Sequence, residues 1–223
     1  MISKQIRRQF ILGKQGLWPG RRWKGKPGVA KAIRYMEAVQ IDPVRVVAQS
    51  HDLVLLGRVD GYSPELLQNA LYKDRKFFDY GGLLNIYSME ELPYWRIFME
   101  RRKTDKRWGE FAAANRKLLT EMRRVLRDRG PLRNRDLKGQ KVSNYRGGKD
   151  TSVALYYMWL TGELMTHRRE GIERLHDFAE NIAPKDLLYT ASEPEMTAYF
   201  SRKEISQFGV IDLRLFRGIH KGL

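Results

Sequence analysis

The residues of this 223-residue chain best suited to bond-breaking chemistry stand in one short run, Val39-Gln40-Ile41-Asp42-Pro43-Val44. Proline disfavours helical backbone in the residue before it, so Asp42 is expected at a helix N-cap with Pro43 at the first helical position. If Gln40 and Asp42 are both extended, their i, i+2 spacing puts amide and carboxylate on one face and turns Ile41 toward a core. So placed, the pair can hold a water, the carboxylate accepting its proton or opposing a developing positive charge. The same residues admit a plainer reading, in which Asp42 only caps a helix and Gln40 is a surface amide.

Other candidate groups are fewer. The chain has no cysteine, which excludes disulfides, thiolate-held metals and a thiol nucleophile. His167 and His176 fall on opposite strands of an expected hairpin, but with no third ligand in the pattern neither a metal nor another cofactor is expected. Trp18 and Trp23 lie among Arg21, Arg22, Lys24 and Lys26, where they either stack on unpaired bases or pin a loop to the core. Arg146, Lys149, Arg168 and Arg169 flank an expected helix and hairpin and are expected to meet phosphates.

Charge makes nucleic acid the leading partner. Lys and Arg number 42 against 26 Asp and Glu, a formal net charge of +16. The excess sits in two blocks: residues 1–36 carry +10 with no acid and residues 101–149 carry +12, while 37–100 and 150–223 are slightly acidic. Each phosphate that such a block neutralises releases counterions and adds affinity. A membrane surface fits less well, because no basic segment carries a matching apolar stripe and no apolar run approaches the length of a bilayer span. The basic start is cut off from a secretory apolar segment by Gly13-Lys14, so a cytoplasmic, soluble protein is expected.

The elements that must position these groups follow from periodicity and punctuation. Helices are expected over Lys4–Gln15, with Ile6 and Phe10 facing a core, over Val29–Val39, from Asp42, and from Ser63-Pro64 to about Tyr72. The Gly- and Pro-interrupted stretch Trp18–Gly28 reads as a loop, and Phe77–Tyr87 as paired strands around Gly81-Gly82. Glu100–Arg107 reads as a basic connector. Beyond it, Asn115–Arg129 shows helical spacing of Leu118, Leu119, Met122, Val125 and Leu126 and stops at Gly130-Pro131. A short helix at Asn134–Leu137, a third from Asp150 to Thr161, and strands at Leu164–Arg168 and Ile172–Asp177 complete the pattern. Three helices followed by a β-hairpin describe a winged helix, whose third helix enters the major groove while the wing touches backbone. The fold class expected is therefore mainly α with small β-hairpin wings (α+β), in tandem winged helix-turn-helix modules over residues 1–100 and 101–190. Residues 191–223, with helices at Glu193–Phe200 and Ser201–Phe208, read as the start of an incomplete third module.

Four segments carry a resemblance in a consistent order. Arg7-Arg8 with Gln15-Gly16-Leu17, the Gln40-Ile41-Asp42 run, the stretch Val47-Ala48-Gln49-Ser50-His51-Asp52-Leu53-Val54-Leu55, and Leu155–Asp177 are similar to the YcaQ-like family of bacterial DNA glycosylases that unhook interstrand crosslinks. The resemblance spans most of the chain. It implies tandem winged helices, metal-free excision of N7-alkylated purines from double-stranded DNA, and a catalytic Gln-hydrophobic-Asp motif at Gln40 and Asp42. It also places His51 at a Ser-His pair counted here among the DNA-contacting residues.

Alkylation at N7 turns the purine into a cationic leaving group, so the glycosidic bond breaks toward an oxocarbenium-like sugar that a carboxylate stabilises. With no Lys in the motif, a monofunctional glycosylase is expected rather than a Schiff-base lyase. The sequence leaves the oligomeric state open, a monomer being favoured. Crosslinked bases resist flipping, which favours an open cleft over a closed pocket. Many relatives carry a histidine in the strand after the first winged helix, and the matching segment Asp79–Asn85 has none. The alternative is a non-catalytic winged-helix DNA-binding protein in which Asp42 is only a cap.

Overall fold

A computed structural model describes residues 2–42, 44, 46–140, 148–171 and 173–210. They divide into two units: one runs to Ser88 and resumes at Ser192, the other is Met89–Ala191. The fold is mainly helical with small antiparallel hairpins, an α+β arrangement of the winged-helix type.

The first unit opens with helix α1 (Lys4–Lys14), whose N-cap Ser3 accepts the Ile6 N–H at 3.2 Å. Its expected core face is corrected here: Ile6 is 58% and Phe10 54% exposed, and the helix buries Gly13 instead. Strand β1 (Trp23–Lys24) leads straight into α2 (Gly25–Met36), so Gly25–Gly28, the end of the expected loop, is the start of a helix. Proline at its third position is tolerated because the first-turn N–H groups have no intrahelical partner. Glu37, in a left-handed conformation at φ 69°, ends α2, and the chain turns into strand β2 (Val39–Gln40).

The next helix, α3, is Ser50–Leu56. The expectation that Asp42 starts a helix is therefore also corrected. Val44 and residues 46–48 are not helical. The Asp42 side chain instead accepts the N–H of Val44 two residues on, at 2.8 Å, the local bond by which Asp competes with helix formation. Strand β3 (Val59–Asp60) pairs in parallel with β1. Helix α4 (Pro64–Gln68) continues into a wider π-type turn at Asn69–Lys73. Strands β4 (Phe77–Tyr80) and β5 (Asn85–Ser88) form the expected hairpin, and β2 joins its open side in the order β2-β5-β4. Val29, Ala32, Ile33, Leu55, Leu67, Phe77 and Ile86 make the core.

The second unit begins with a 3-10 turn at Met89–Glu91, then α5 (Leu92–Thr104) and α6 (Lys106–Ala114). The expected basic connector is thus helical, because Glu100 pairs with Lys103 and Asp105 caps α6 by accepting the Trp108 N–H. Helix α7 (Arg116–Arg129) buries Leu119, Met122 and Leu126 and ends at Gly130, φ 77°. After a 3-10 turn at Asn134–Asp136 come α8 (Asp150–Leu160), β6 (Leu164–Glu170) and β7 (Glu173–Phe178). Leu132 bridges to His176 and adds a third short strand segment to the hairpin. The four-residue α9 (Ala179–Ile182) and a 3-10 turn at Lys185–Leu187 close this unit.

The tail, α10 (Glu193–Phe208), is one continuous helix rather than two, since no Gly or Pro interrupts it after its first turn. Ser192 and Glu195 form a capping box at its start. It belongs to the first unit, where Lys14 of α1 donates to Ser206 and Gln15 donates to the Gln207 carbonyl.

Candidate active site and nucleic-acid interface

The motif sits where an edge strand ends. Ile41 is 8% exposed and Val39 3%, so both point into the core, while Gln40 is exposed and Asp42 half-buried on the opposite side. This is the alternation expected from the sequence, imposed because β2 is paired: Val39 lies opposite Ile86 and Gln40 opposite Asn85. The Ile41 N–H donates to the Leu84 carbonyl and carries the extended backbone to the threshold of Asp42. One Asp42 oxygen is oriented by the Val44 N–H.

Sequence reasoning missed the neighbours that the sheet supplies. Asn85 takes the position across from Gln40, and its side chain donates to the Tyr87 hydroxyl at 3.1 Å. Lys203, 7% exposed on α10, donates to the Glu37 carbonyl at 2.5 Å and lies 5.5 Å from the centre of the Tyr87 ring. Neither has a local signal, because each is brought in by pairing across long stretches of chain.

His51 is 5% exposed in the first turn of α3, where it packs inside the first unit. One residue on, Asp52 accepts a 2.6 Å hydrogen bond from the Tyr62 hydroxyl. Burial, and then that bond to a carboxylate, hold the Tyr62 phenol well above its ordinary range. The two side chains border a half-open cleft of about 360 Å³.

The expected phosphate-contacting residues fall into distinct surroundings. Arg21 and Lys24 are exposed. Arg22 donates to the Tyr35 hydroxyl and the Trp18 carbonyl, both at 3.0 Å, so it stiffens its own loop. Trp23 packs against Tyr35, ring centres 5.2 Å apart, and pins that loop, while Trp18 stays 48% exposed. Lys149 donates to the Leu137 carbonyl ahead of α8. Helix α8 contains no Lys or Arg and buries seven of its residues.

At the hairpin tip, Glu170 gathers Arg133, Arg135 and Arg168, and Glu173 holds Arg135 at 3.1 Å, so this wing is largely neutralised. Arg169 lies opposite Arg174 in the ladder and is half-buried. Arg146 lies outside the described residues. His176 pairs opposite Thr166 and is 7% exposed, while His167 lies 3.7 Å from Asp177. Among the described residues no group of three or more His, Asp or Glu is arranged to hold a metal ion, and no helix is long and apolar enough to cross a membrane.

A family model described as "DNA glycosylase AlkZ-like" matches residues 33–221, a span that includes the Gln40–Asp42 motif, the cleft and the hairpin. The chain belongs to that family. The family resemblance read from the four sequence segments is thereby borne out. Among solved structures, the DNA glycosylase AlkZ of Streptomyces sahachiroi is similar, with a TM-score of 0.61 and 15% sequence identity. That match covers 93% of this chain and 58% of the AlkZ chain, so this chain spans little more than half of that relative's length. At such low identity the likeness establishes the fold.

Proposed function

We propose that this chain is a monofunctional DNA glycosylase that excises N7-alkylated purines, including those held in interstrand crosslinks. Asp42 is the catalytic carboxylate and Gln40 positions the water or the sugar. The observation that carries this reading is the outward pairing of Gln40 and Asp42 at the end of a core-anchored edge strand, in a chain of a DNA glycosylase family. As the glycosidic bond breaks, positive charge grows on the sugar; the Asp42 carboxylate opposes it and takes a proton from the attacking water. Gln40 orients but accepts no proton. Tandem winged-helix modules hold the duplex through Arg21, Arg22, Lys24, Lys149 and Arg169, while Arg168 is spent on Glu170. In this reading the protein works as a cytoplasmic monomer and uses no metal.

The test is release of base from duplex DNA carrying N7-methylguanine, compared between the native chain and Asp42→Asn. Asn keeps an oxygen to accept the Val44 N–H, so folding and DNA binding persist. Release is expected to fall about a hundred- to a thousandfold, the usual cost of removing one group aimed at developing charge. Equal release by the variant, or no release by a folded native chain that still binds the duplex, overturns the proposal in favour of a DNA-binding protein without catalysis.

A further inference from the structure

The second unit holds a pocket that neither the Gln40–Asp42 motif nor the expected phosphate-contacting residues account for. It lies between α6 and α7, has a volume of about 490 Å³ and opens broadly to the surface. That size falls within the range of small-ligand sites. On α6 its wall is Gly109, Ala112 and Ala113, spaced i, i+3 and i+4, so a helix face without bulky side chains borders the space. On α7, Arg116, Thr120 and Arg123 stand at i, i+4 and i+7 and likewise share a face. Tyr157 of α8 completes the lining, and no Asp or Glu is among the described residues that form it.

The hydrogen-bonding groups of this lining are mostly donors. Arg116 is exposed, and its guanidinium meets no partner among the described residues. Arg123 gives two N–H groups to Glu163 at 2.5 and 2.9 Å, which leaves its remaining N–H groups available. Thr120 spends its hydroxyl proton on the Arg116 carbonyl at 2.9 Å and offers only its oxygen as an acceptor. Tyr157 is 7% exposed and packs against Trp108 and Phe111, ring centres 6.0 and 5.5 Å away. Its hydroxyl makes no hydrogen bond among the described residues. Buried phenols usually find a partner, so an O–H left over beside a cationic pocket points to an acceptor that sits in the pocket. Burial, and then the charge of Glu163, raise the Tyr157 phenol above its ordinary range, so it keeps its proton and stays a donor.

Such a set disfavours cations and amines and favours an anion rich in acceptors. A carboxylate is planar and is matched by a single arginine fork. A phosphate presents oxygens in several directions and can meet donors on α7 and α8 together. The bare α6 face leaves room for whatever the phosphate is esterified to.

We infer that the α6–α7 pocket is a phosphate-binding site, in which Arg116 and Arg123 are charged donors to the phosphate oxygens and Tyr157 is a neutral one. The phosphate belongs either to a nucleic-acid backbone or to a free phosphate or phosphomonoester, and the chemistry at the pocket is the same. The inference does not rest on the glycosylase reading, since nothing in it involves Asp42 or the sugar.

Two assays on the full chain separate the sources. Calorimetric titration with inorganic phosphate reads the free ligand. Fluorescence anisotropy of an unmodified labelled duplex, from about 50 to about 200 mM salt, reads the backbone. Arg116→Gln and Tyr157→Phe are compared with the native chain in both. For a free ligand, inorganic phosphate should bind the native chain and bind each variant about tenfold more weakly, the usual cost of a hydrogen bond to a charged group, with duplex binding unchanged. For a backbone phosphate, Arg116→Gln should flatten the slope of log affinity against log salt by about 0.9. Tyr157→Phe should then lower duplex affinity about tenfold at an unchanged slope, because a neutral donor releases no counterion. Arg116→Lys should restore the slope and only part of the affinity, since it keeps the charge and loses the planar fork.

Variants that match the native chain in both assays, with circular dichroism showing all of them folded, overturn the inference. A fall confined to Arg116→Gln overturns it too, because Arg116 is then a surface cation with no pocket behind it. Base release enters neither assay, so the result stands whether or not Asp42 is catalytic.

Discussion

Substituting Glu170 should make DNA binding more salt-sensitive by one phosphate contact. Glu170 holds three arginines at the hairpin tip, but the three are not equally dependent on it. Arg133 keeps Asp136, whose carboxylate it meets at 3.1 Å, and Arg135 keeps Glu173 at 3.1 Å. Arg168 has Glu170 as its partner at 2.9 Å and is 52% exposed. Glu170→Gln removes the charge and so releases one guanidinium, not three.

Each phosphate neutralised on duplex DNA contributes about 0.9 to the slope of log affinity against log salt, so the variant's slope should be steeper by about 0.9. Over a fourfold rise in salt from about 50 to about 200 mM, it should lose about 3.5 times more affinity than the native chain. Fluorescence anisotropy of a short labelled duplex across that range measures it. Adding Arg168→Gln to the variant should return the slope to the native value. An unchanged slope would refute a role for Arg168 at phosphate, and a change near three contacts would refute the assignment of Arg133 and Arg135 to their other carboxylates.

Three further outcomes are expected. Gly162 has φ 72°, and a Cβ there would lie 2.5 Å from the Met99 sulfur. Gly162→Ala should cost about 1–2 kcal/mol for the left-handed backbone alone, with more for the overlap. Met99→Ala, a truncation of a buried side chain, costs about 2–5 kcal/mol by itself, and in a thermal double-mutant cycle with it Gly162→Ala should keep the backbone cost and lose only the overlap. Lys203→Met should destabilise the first unit by about 1–3 kcal/mol by leaving the Glu37 carbonyl without its donor, read as a lower denaturant midpoint; an unchanged midpoint would contradict it. On the acid side, the Arg133 backbone N–H and side chain hold Asp136 below the usual carboxylate range, as Arg168 does Glu170 and Lys26 does Asp74. A carboxylate depressed in the folded state stabilises it above its unfolded pKa of about 4 and loses that contribution as pH falls through the folded value. Melting temperature should therefore hold above about pH 5 and drop below about pH 4, and a rise on acidification would contradict the sign.

Much of the local structure was legible in the sequence. The spacing of Leu118, Leu119, Met122, Val125 and Leu126 before Gly130-Pro131 defined α7 to within a residue, and the turn at Gly81-Gly82 placed β4 and β5. Alternation around Ile41 also predicted that Gln40 and Asp42 face away from the core. These features are local: 3.6- and 2-residue periods and turn residues act within a few positions of themselves. The sequence pattern was less able to place a helix start at Asp42, because an Asp before Pro serves a cap and a local turn equally well and only the backbone after it decides.

Partners distant in the chain were decided by the tertiary structure. The pairing of Gln40 with Asn85 makes the motif part of a sheet, and Lys203 reaches Glu37 across 166 positions. Charge shows the same division. Composition fixed a net +16, but whether an arginine is free or spent depends on which carboxylate the fold brings to it. At the hairpin, Arg133 reaches Glu170 across 37 positions and joins Arg168, which is only 2 positions from it. The Asp52–Tyr62 bond arises the same way, from the register between a helix and the loop that follows it. Periodicity therefore settled which side of an element faces inward, and packing settled what each outward group meets, since contact energies fall off within a few ångströms in space while the chain separates the partners by tens of residues.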